Sequence, residues 1–195
     1  MKFCKETVAS AVFLAAICAG AARAEAGSPV VVFASEKIMG EWVGSYLGSI
    51  AVGTAQPNEC ELAVGRALEA AAITVSVAPE GEARRRAARG LNTVFGRYGD
   101  VSTLPNDIAV KAAFVVDPRA AAVVACGVQI FASKSKAGAV CAGAGCKAID
   151  TKTRRRVATA AGERCVDDKN SGPRDITAIR DVCGEMGEAI AGKLR

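Results

Sequence analysis

No histidine occurs anywhere in the 195 residues, and that absence excludes more chemistry than any motif in the chain supplies. Without imidazole there is no Ser-His-Asp or Cys-His nucleophile system, no His-ligated zinc and no histidine general base. Aromatic residues are scarce, at 5% with one Trp, so stacking on single-stranded nucleic acid or on sugar rings has little to work with. Beyond the first two dozen residues no apolar stretch approaches the roughly 20 residues of a membrane-spanning helix. Charge of one sign is also lacking, because 25 Lys and Arg against 20 Asp and Glu is too even a balance to imply nucleic acid.

The N-terminus is informative. Lys2 and Lys5 precede an almost wholly small or apolar run at residues 7–22, and Ala22-Arg23-Ala24 places small residues where a signal peptidase reads them. This pattern is a secretory signal peptide over residues 1–24, cut before Glu25. A membrane anchor would need a longer run without Ser10 and Gly20 inside it. Lipoprotein processing at Cys18 is disfavoured by the bulky Ile17 before it. Removing residues 1–24 takes away Lys2, Lys5, Arg23 and Glu6 and leaves a net charge of +3, so the expected product is a soluble periplasmic protein.

Two of the eight cysteines, Cys4 and Cys18, leave with that leader. Cys60, Cys126, Cys141, Cys146, Cys165 and Cys183 remain, and an even number in an exported chain reads as up to three disulfides. Spacing alone does not choose the pairing. Cys141 and Cys146 are too far apart for a Cys-x-x-Cys redox motif and have no second close pair for zinc, so no metal or cofactor is expected.

Along the remaining chain, residues 28–34 (SPVVVFA) read as a buried strand. Residues 59–72 form an amphipathic helix with Leu62, Gly65, Ala67, Leu68 and Ala71 on its apolar line and Glu61, Arg66 and Glu69 off it. Alternation over residues 73–77 gives a second strand, Pro79 to Glu82 starts a second helix running to about Phe95, and residues 96–106 form a loop. Two extended segments follow, residues 110–116 and 120–132, parted by Asp117-Pro118. Residues 138–150 and 155–165 flank the polar turn Thr151-Lys152-Thr153-Arg154 as a hairpin. Centred on Thr153, that hairpin sets Ile149 opposite Val157 and Cys141 opposite Cys165, which would permit a cross-strand bridge. Residues 176–194 close the chain as a helix with Ile179, Val182, Cys183, Met186, Ile190 and Leu194 on one stripe. With no repeat or linker in the order β, α, β, α, β-rich, α, the expectation is a single α/β (α+β) domain over residues 25–195. It has a mixed sheet, a C-terminal β-hairpin, helices packed on the sheet, and disulfides.

Candidate chemistry is sparse. The acid pairs Glu80 with Glu82, Asp167 with Asp168 and Glu185 with Glu188 sit where helix ends, helix faces and loops place acids anyway. Gly143-Ala144-Gly145 is a poor phosphate loop, and a bulge or tight turn in a strand explains its glycines better. Two arginine clusters stand out, Arg84-Arg85-Arg86 with Arg89 and Arg154-Arg155-Arg156. Arg85 and Arg89 share a helix face and could grip a phosphate or carboxylate, although runs of this size are also ordinary solvated surface.

Five segments together, PVVVFASE, ECELAVGRALEAAAITVSVA, AAVVACGVQIFAS, AIDTKTRRRVATA and the closing helix, resemble a known periplasmic α/β domain. It is shared by flagellar assembly protein T, the curli secretion protein family and the penicillin-binding-protein activator lipoproteins, and is similar to the N-terminal domain of the Tol translocation protein. In that group the hairpin turn usually ends in glycine, where this chain has Arg154, and the six cysteines are additional. The resemblance implies a non-catalytic part that docks on envelope machinery and brings no catalytic residues. The leading expectation is therefore an exported accessory domain that contacts an envelope protein partner in cell-envelope or surface-appendage assembly. The alternative is a module that binds an anionic envelope polymer, cell wall or lipopolysaccharide, through Arg84, Arg85, Arg89, Arg154, Arg155 and Arg156. A thiol- or carboxylate-dependent hydrolase would need a free cysteine or a buried acid in a cleft.

Overall fold

β-Branched and small residues can line both faces of a strand, and the PVVVFASE run does so as β1 (Val30–Ile38). The computed structural model describes residues 27–38, 41–43, 58–76, 101–133, 139–167 and 174–195. In chain order β1 is followed by β2 (Glu41–Val43), α1 (Glu59–Ala70), β3 (Val75–Ser76), a 3-10 turn (Val101–Thr103) and α2 (Asn106–Val116). Then come β4 (Ala122–Ala132), β5 (Val140–Asp150), β6 (Arg156–Val166) and α3 (Arg174–Leu194).

The strands form one mixed sheet in the order β2-β1-β4-β5-β6, with β3 also beside β1. β1 runs parallel to β4 and β3, while β4, β5 and β6 run antiparallel in turn. Alternation sends Val124, Cys126, Val128 and Ile130 of β4 to the face covered by α1 and α3. Val123 and Ala125 point to the opposite face, under α2 and the 3-10 turn.

The α1 start is fixed by its sequence. Asn58 accepts from Glu61 N–H at 2.8 Å while Glu61 accepts from Asn58 N–H at 3.2 Å, a reciprocal capping box. The same two side chains reach β1, where Asn58 Nδ2 donates to Ala34 O (2.9 Å) and Ala34 N–H donates to Glu61 Oε1 (3.1 Å). Glu61 is therefore buried rather than solvated, and Leu62, expected inside, is 38% exposed. The inner stripe is instead Cys60, Ala63, Val64 and Leu68.

The closing helix buries the expected stripe from Ile179 to Leu194. It lies close enough to α1 that a Cβ on Gly187 would stand 2.7 Å from Ala67 Cβ and 3.0 Å from Val64 Cα. Cys60 on α1 and Cys183 on α3 are bridged at that crossing. The remaining cysteines join directly opposed residues, Cys126 with Cys146 across β4 and β5 and Cys141 with Cys165 across β5 and β6.

Four local expectations change. Residues 110–116 are not extended but belong to α2, whose buried Ala109, Ala112 and Ala113 fall at helical spacing. Pro105, within the expected loop, stands at its N-cap, and Asp107, just past that loop, lies in its first turn. Ile149 faces Arg156 rather than Val157, because a bulge between Ala148 and Ile149 shifts the register beside a turn in which Arg154 is left-handed, with φ of 57°. Gly143 and Gly145 lie in regular ladder rather than at that bulge. The leader, the helix expected to reach Phe95 with Arg84, Arg85, Arg86 and Arg89, and the pair Glu80 and Glu82 lie outside the described residues.

Gly187 and Gly184 on the same helix give opposite predictions. Gly187→Ala should destabilise the protein by about 1–3 kcal/mol, since the facing atoms include α1 backbone that must shift. Gly184→Ala meets nothing within 4 Å and should be neutral or stabilising by up to about 1 kcal/mol. Urea unfolding of both oxidised variants checks the pair, and equal effects would contradict this packing.

Candidate functional site

The described residues hold one strongly perturbed acid, Glu36, which belongs to no motif in the sequence. Glu36 follows the apolar VVVFAS run on β1 and is only 8% exposed. Cys60 N–H, in the first turn of α1, donates to its Oε1 at 3.3 Å. Burial pushes the carboxyl up to about 7, the neighbouring charges of Glu59 and Asp175 push the same way, and the bond from Cys60 opposes them. A raised carboxyl suits acid catalysis, but Glu36 lines none of the cavities formed by described residues. Its carboxyl accepts from the backbone of Cys60, one end of the Cys60–Cys183 bridge. Among the expected acids, Glu185 pairs with Arg164 and Glu188 is exposed on α3.

At the end of the sheet where β5 begins and β6 finishes, a cavity of about 530 Å³ is lined by Gln129, Phe131, Ser133, Cys141, Glu163 and Cys165 among others. Cys141, Glu163 and Cys165 are close enough to suggest a metal site. Both sulfurs are joined in a disulfide, however, so neither is a thiolate ligand. Next to the cavity, Gly127 pairs with Gly145 and Gly143 pairs with Glu163. The three glycines are half-buried, and Ala161 and Phe131 beside them are exposed. This half of the sheet face carries the side chains of Gln129, Phe131 and Glu163, and Phe131 Cε1 lies 3.6 Å from where a Cβ on Gly143 would stand.

The two sheet edges are finished differently. The outer side of β1 is met in succession by β3, by the side chains of Asn58 and Glu61, and by β2. The outer side of β6 has no partner strand among the described residues. One described side chain that reaches β6 backbone is Lys193, whose Nζ donates to Thr159 O at 3.0 Å.

A shallow groove of about 640 Å³ runs between α1 and α3 over Ala63, Ala67, Ala70 and Gly184, flanked by Arg66, Arg180 and Glu188. Arg180 is committed to Glu59 at 3.1 Å. Of the two arginine clusters, Arg154, Arg155 and Arg156 are exposed around the β5–β6 turn. The other lies outside the described residues, as does any relation between them. All six cysteines expected to remain are bridged, which removes them as nucleophiles for a thiol-dependent hydrolase.

These features define a disulfide-bridged α/β domain in which β6 has no partner strand on its outer side among the described residues. No family model matches the chain, and no curated protein matches it. Solved structures do match. The PelC dodecamer from Paraburkholderia phytofirmans is 16% identical, over 88% of this chain and 92% of that chain, with a TM-score of 0.46. Lipoprotein GNA1162 from Neisseria meningitidis is 11% identical over 86% of this chain and 97% of that chain, with a TM-score of 0.42. The LpoB C-terminal domain from Salmonella enterica is 14% identical over 73% of this chain and 84% of that chain, with a TM-score of 0.35.

Glu36 makes stability depend on pH in a direction opposite to most carboxylates. Its folded pKa, about 7, exceeds its ordinary 4.5, so the folded state holds more protons between those values and stability falls as pH rises from about 4.5 to 7. Glu36→Gln should remove that decline, leaving the variant more stable than the parent by roughly 3 kcal/mol or less at pH 8 and nearly equal at pH 4.5. Parallel pH profiles of the two melting temperatures would contradict this assignment.

Proposed function

We propose that the chain is an exported, non-catalytic accessory domain that binds a protein partner in cell-envelope or surface-appendage assembly. In this reading residues 1–24 are a cleaved leader and the periplasm is the working compartment. The observation that carries it is the contrast between the two edges of one sheet. The outer side of β1 is met by β3, by Asn58 and Glu61 and by β2, whereas the 11 residues of β6 have no partner strand on their outer side among the described residues. Folded proteins usually blunt or cover such an edge, and one left open can pair with an extended segment of another chain. Three disulfides support an oxidising compartment.

The alternative, an anionic envelope polymer held by Arg84, Arg85, Arg89, Arg154, Arg155 and Arg156, draws on the exposure of the second cluster. It lacks a groove there among the cavities formed by described residues.

A photoreactive residue at the exposed position Ala161, on β6, should crosslink to one discrete envelope protein at both low and high salt. The same probe at exposed Glu69 on α1 should not, and Ala161→Lys beside a probe at Thr159 should reduce the product about tenfold. Equal yields from β6 and α1 probes would contradict the edge reading.

A further inference from the structure

The two ends of the sheet differ in what they present, and the end carrying the β5–β6 turn holds a fixed group of cations. Strand register brings Val30, Ala122 and Asp150 level with one another at this end, with Arg156 beside them. The turn is heavily bonded. Thr153 donates to Asp150 Oδ1 from both N–H and Oγ1 at 2.6 and 2.7 Å, and Arg154 N–H donates to Asp150 O at 2.8 Å. Thr151 N–H donates to Ala121 O at 3.0 Å and its hydroxyl lies 2.6 Å from Ala120 O, while Asn106 Nδ2 donates to Arg154 O at 3.1 Å.

These bonds engage Asp150, which is the one acid of residues 150–156. Lys152, Arg154, Arg155 and Arg156 are all exposed, and none forms an ion pair with a described residue. Arg154 also occupies a left-handed conformation, with φ of 57°, that favours glycine or asparagine. A turn that keeps a long cation where glycine would fit with less strain points to a use for the charge.

Two further features share this end. α2 is tied to the turn at its start by Asn106, and at its finish through Asp117 O, which accepts from Ala120 N–H. Its outward surface exposes Lys111 with Phe114 (41%) and Val115 (39%), two of the four large apolar residues exposed among those described. The chain also enters the fold here, because Ala121 N–H donates to Pro29 O at 2.9 Å.

We propose that this end docks on an anionic phospholipid bilayer, with Lys152, Arg154, Arg155 and Arg156 on headgroup phosphates and Phe114 and Val115 in the interface. Guanidinium forks match phosphate oxygens, and clustered cations beside exposed apolar side chains are the general means of surface attachment to such membranes. A polymer chain is gripped best in a groove, whereas a projecting rigid turn meets a plane.

The test is co-sedimentation of the exported, oxidised protein with phosphatidylcholine vesicles, with and without phosphatidylglycerol, at low and high salt. Binding should require phosphatidylglycerol and weaken as salt rises. Replacing Lys152, Arg154, Arg155 and Arg156 together by Gln should weaken it about 100-fold or more, each cation contributing about fivefold. Arg154→Gly should bind about fivefold weaker while melting no lower than the parent, which separates charge from fold. Three results would overturn the proposal: equal binding to both vesicle types, an unaffected four-residue variant, or soluble polyphosphate capturing the protein as tightly as vesicles at equal phosphate. The last would assign the turn to a soluble polyanion.

Discussion

The close approach of α1 and α3 is the contact on which the rest of the arrangement depends. Gly187 removes the side chain that would hold the helices apart, and Cys60–Cys183 fixes them at that distance across 123 residues of sequence. In the chain-entropy account a bridge over so long a loop contributes about 4–5 kcal/mol. The contact matters more here because few large side chains are available. The cluster under the two helices contains Ala34, Ala63, Ala122, Ala142, Ala144, Ala148 and Ala158, so its density comes from proximity of backbones rather than bulk. Gly162 repeats the device on β6, where a Cβ would stand 2.8 Å from Met186 Cε.

From that contact follows the position of everything else. α1 starts on β1 because Asn58 and Glu61 bond both the helix start and Ala34 backbone, and this closes the middle of the β1 edge. Glu36 is trapped beneath the same helix start. With both long helices on one face, only α2 and the short 3-10 turn among the described elements cover the other, packing against Val31, Phe33, Val123, Ala125 and Ile149. Among the described residues, no element covers the far half of that face and no strand pairs with the outer side of β6.

Much of this was legible from residue order. The closing stripe from Ile179 to Leu194 has an unambiguous helical period, β4 is a continuous apolar run that alternates only in its second half, and a turn centred on Thr153 correctly sets Cys141 opposite Cys165. What could not be read depends on context. Residues 110–116 are short, apolar and rich in valine, a pattern equally suited to a buried strand, and the packing of Ala109, Ala112 and Ala113 on the sheet makes them helical. The bulge at Ile149 accompanies a left-handed arginine, a conformation that residue type disfavours. Glu61 fell off the apolar line of its helix and no motif singled out Glu36, because their burial arises where β1 meets the start of α1. The bridges Cys60–Cys183 and Cys126–Cys146 likewise needed the tertiary arrangement to choose them.

The most direct measurement is non-reducing peptide mapping by mass spectrometry, with alkylation of free thiols, on protein recovered from its own envelope. The account predicts no alkylated cysteine among Cys60, Cys126, Cys141, Cys146, Cys165 and Cys183, and linked peptides joining Cys60 to Cys183, Cys126 to Cys146 and Cys141 to Cys165. A free thiol at Cys60 or Cys183, or either residue linked elsewhere, would contradict the helix contact from which the remaining structure follows.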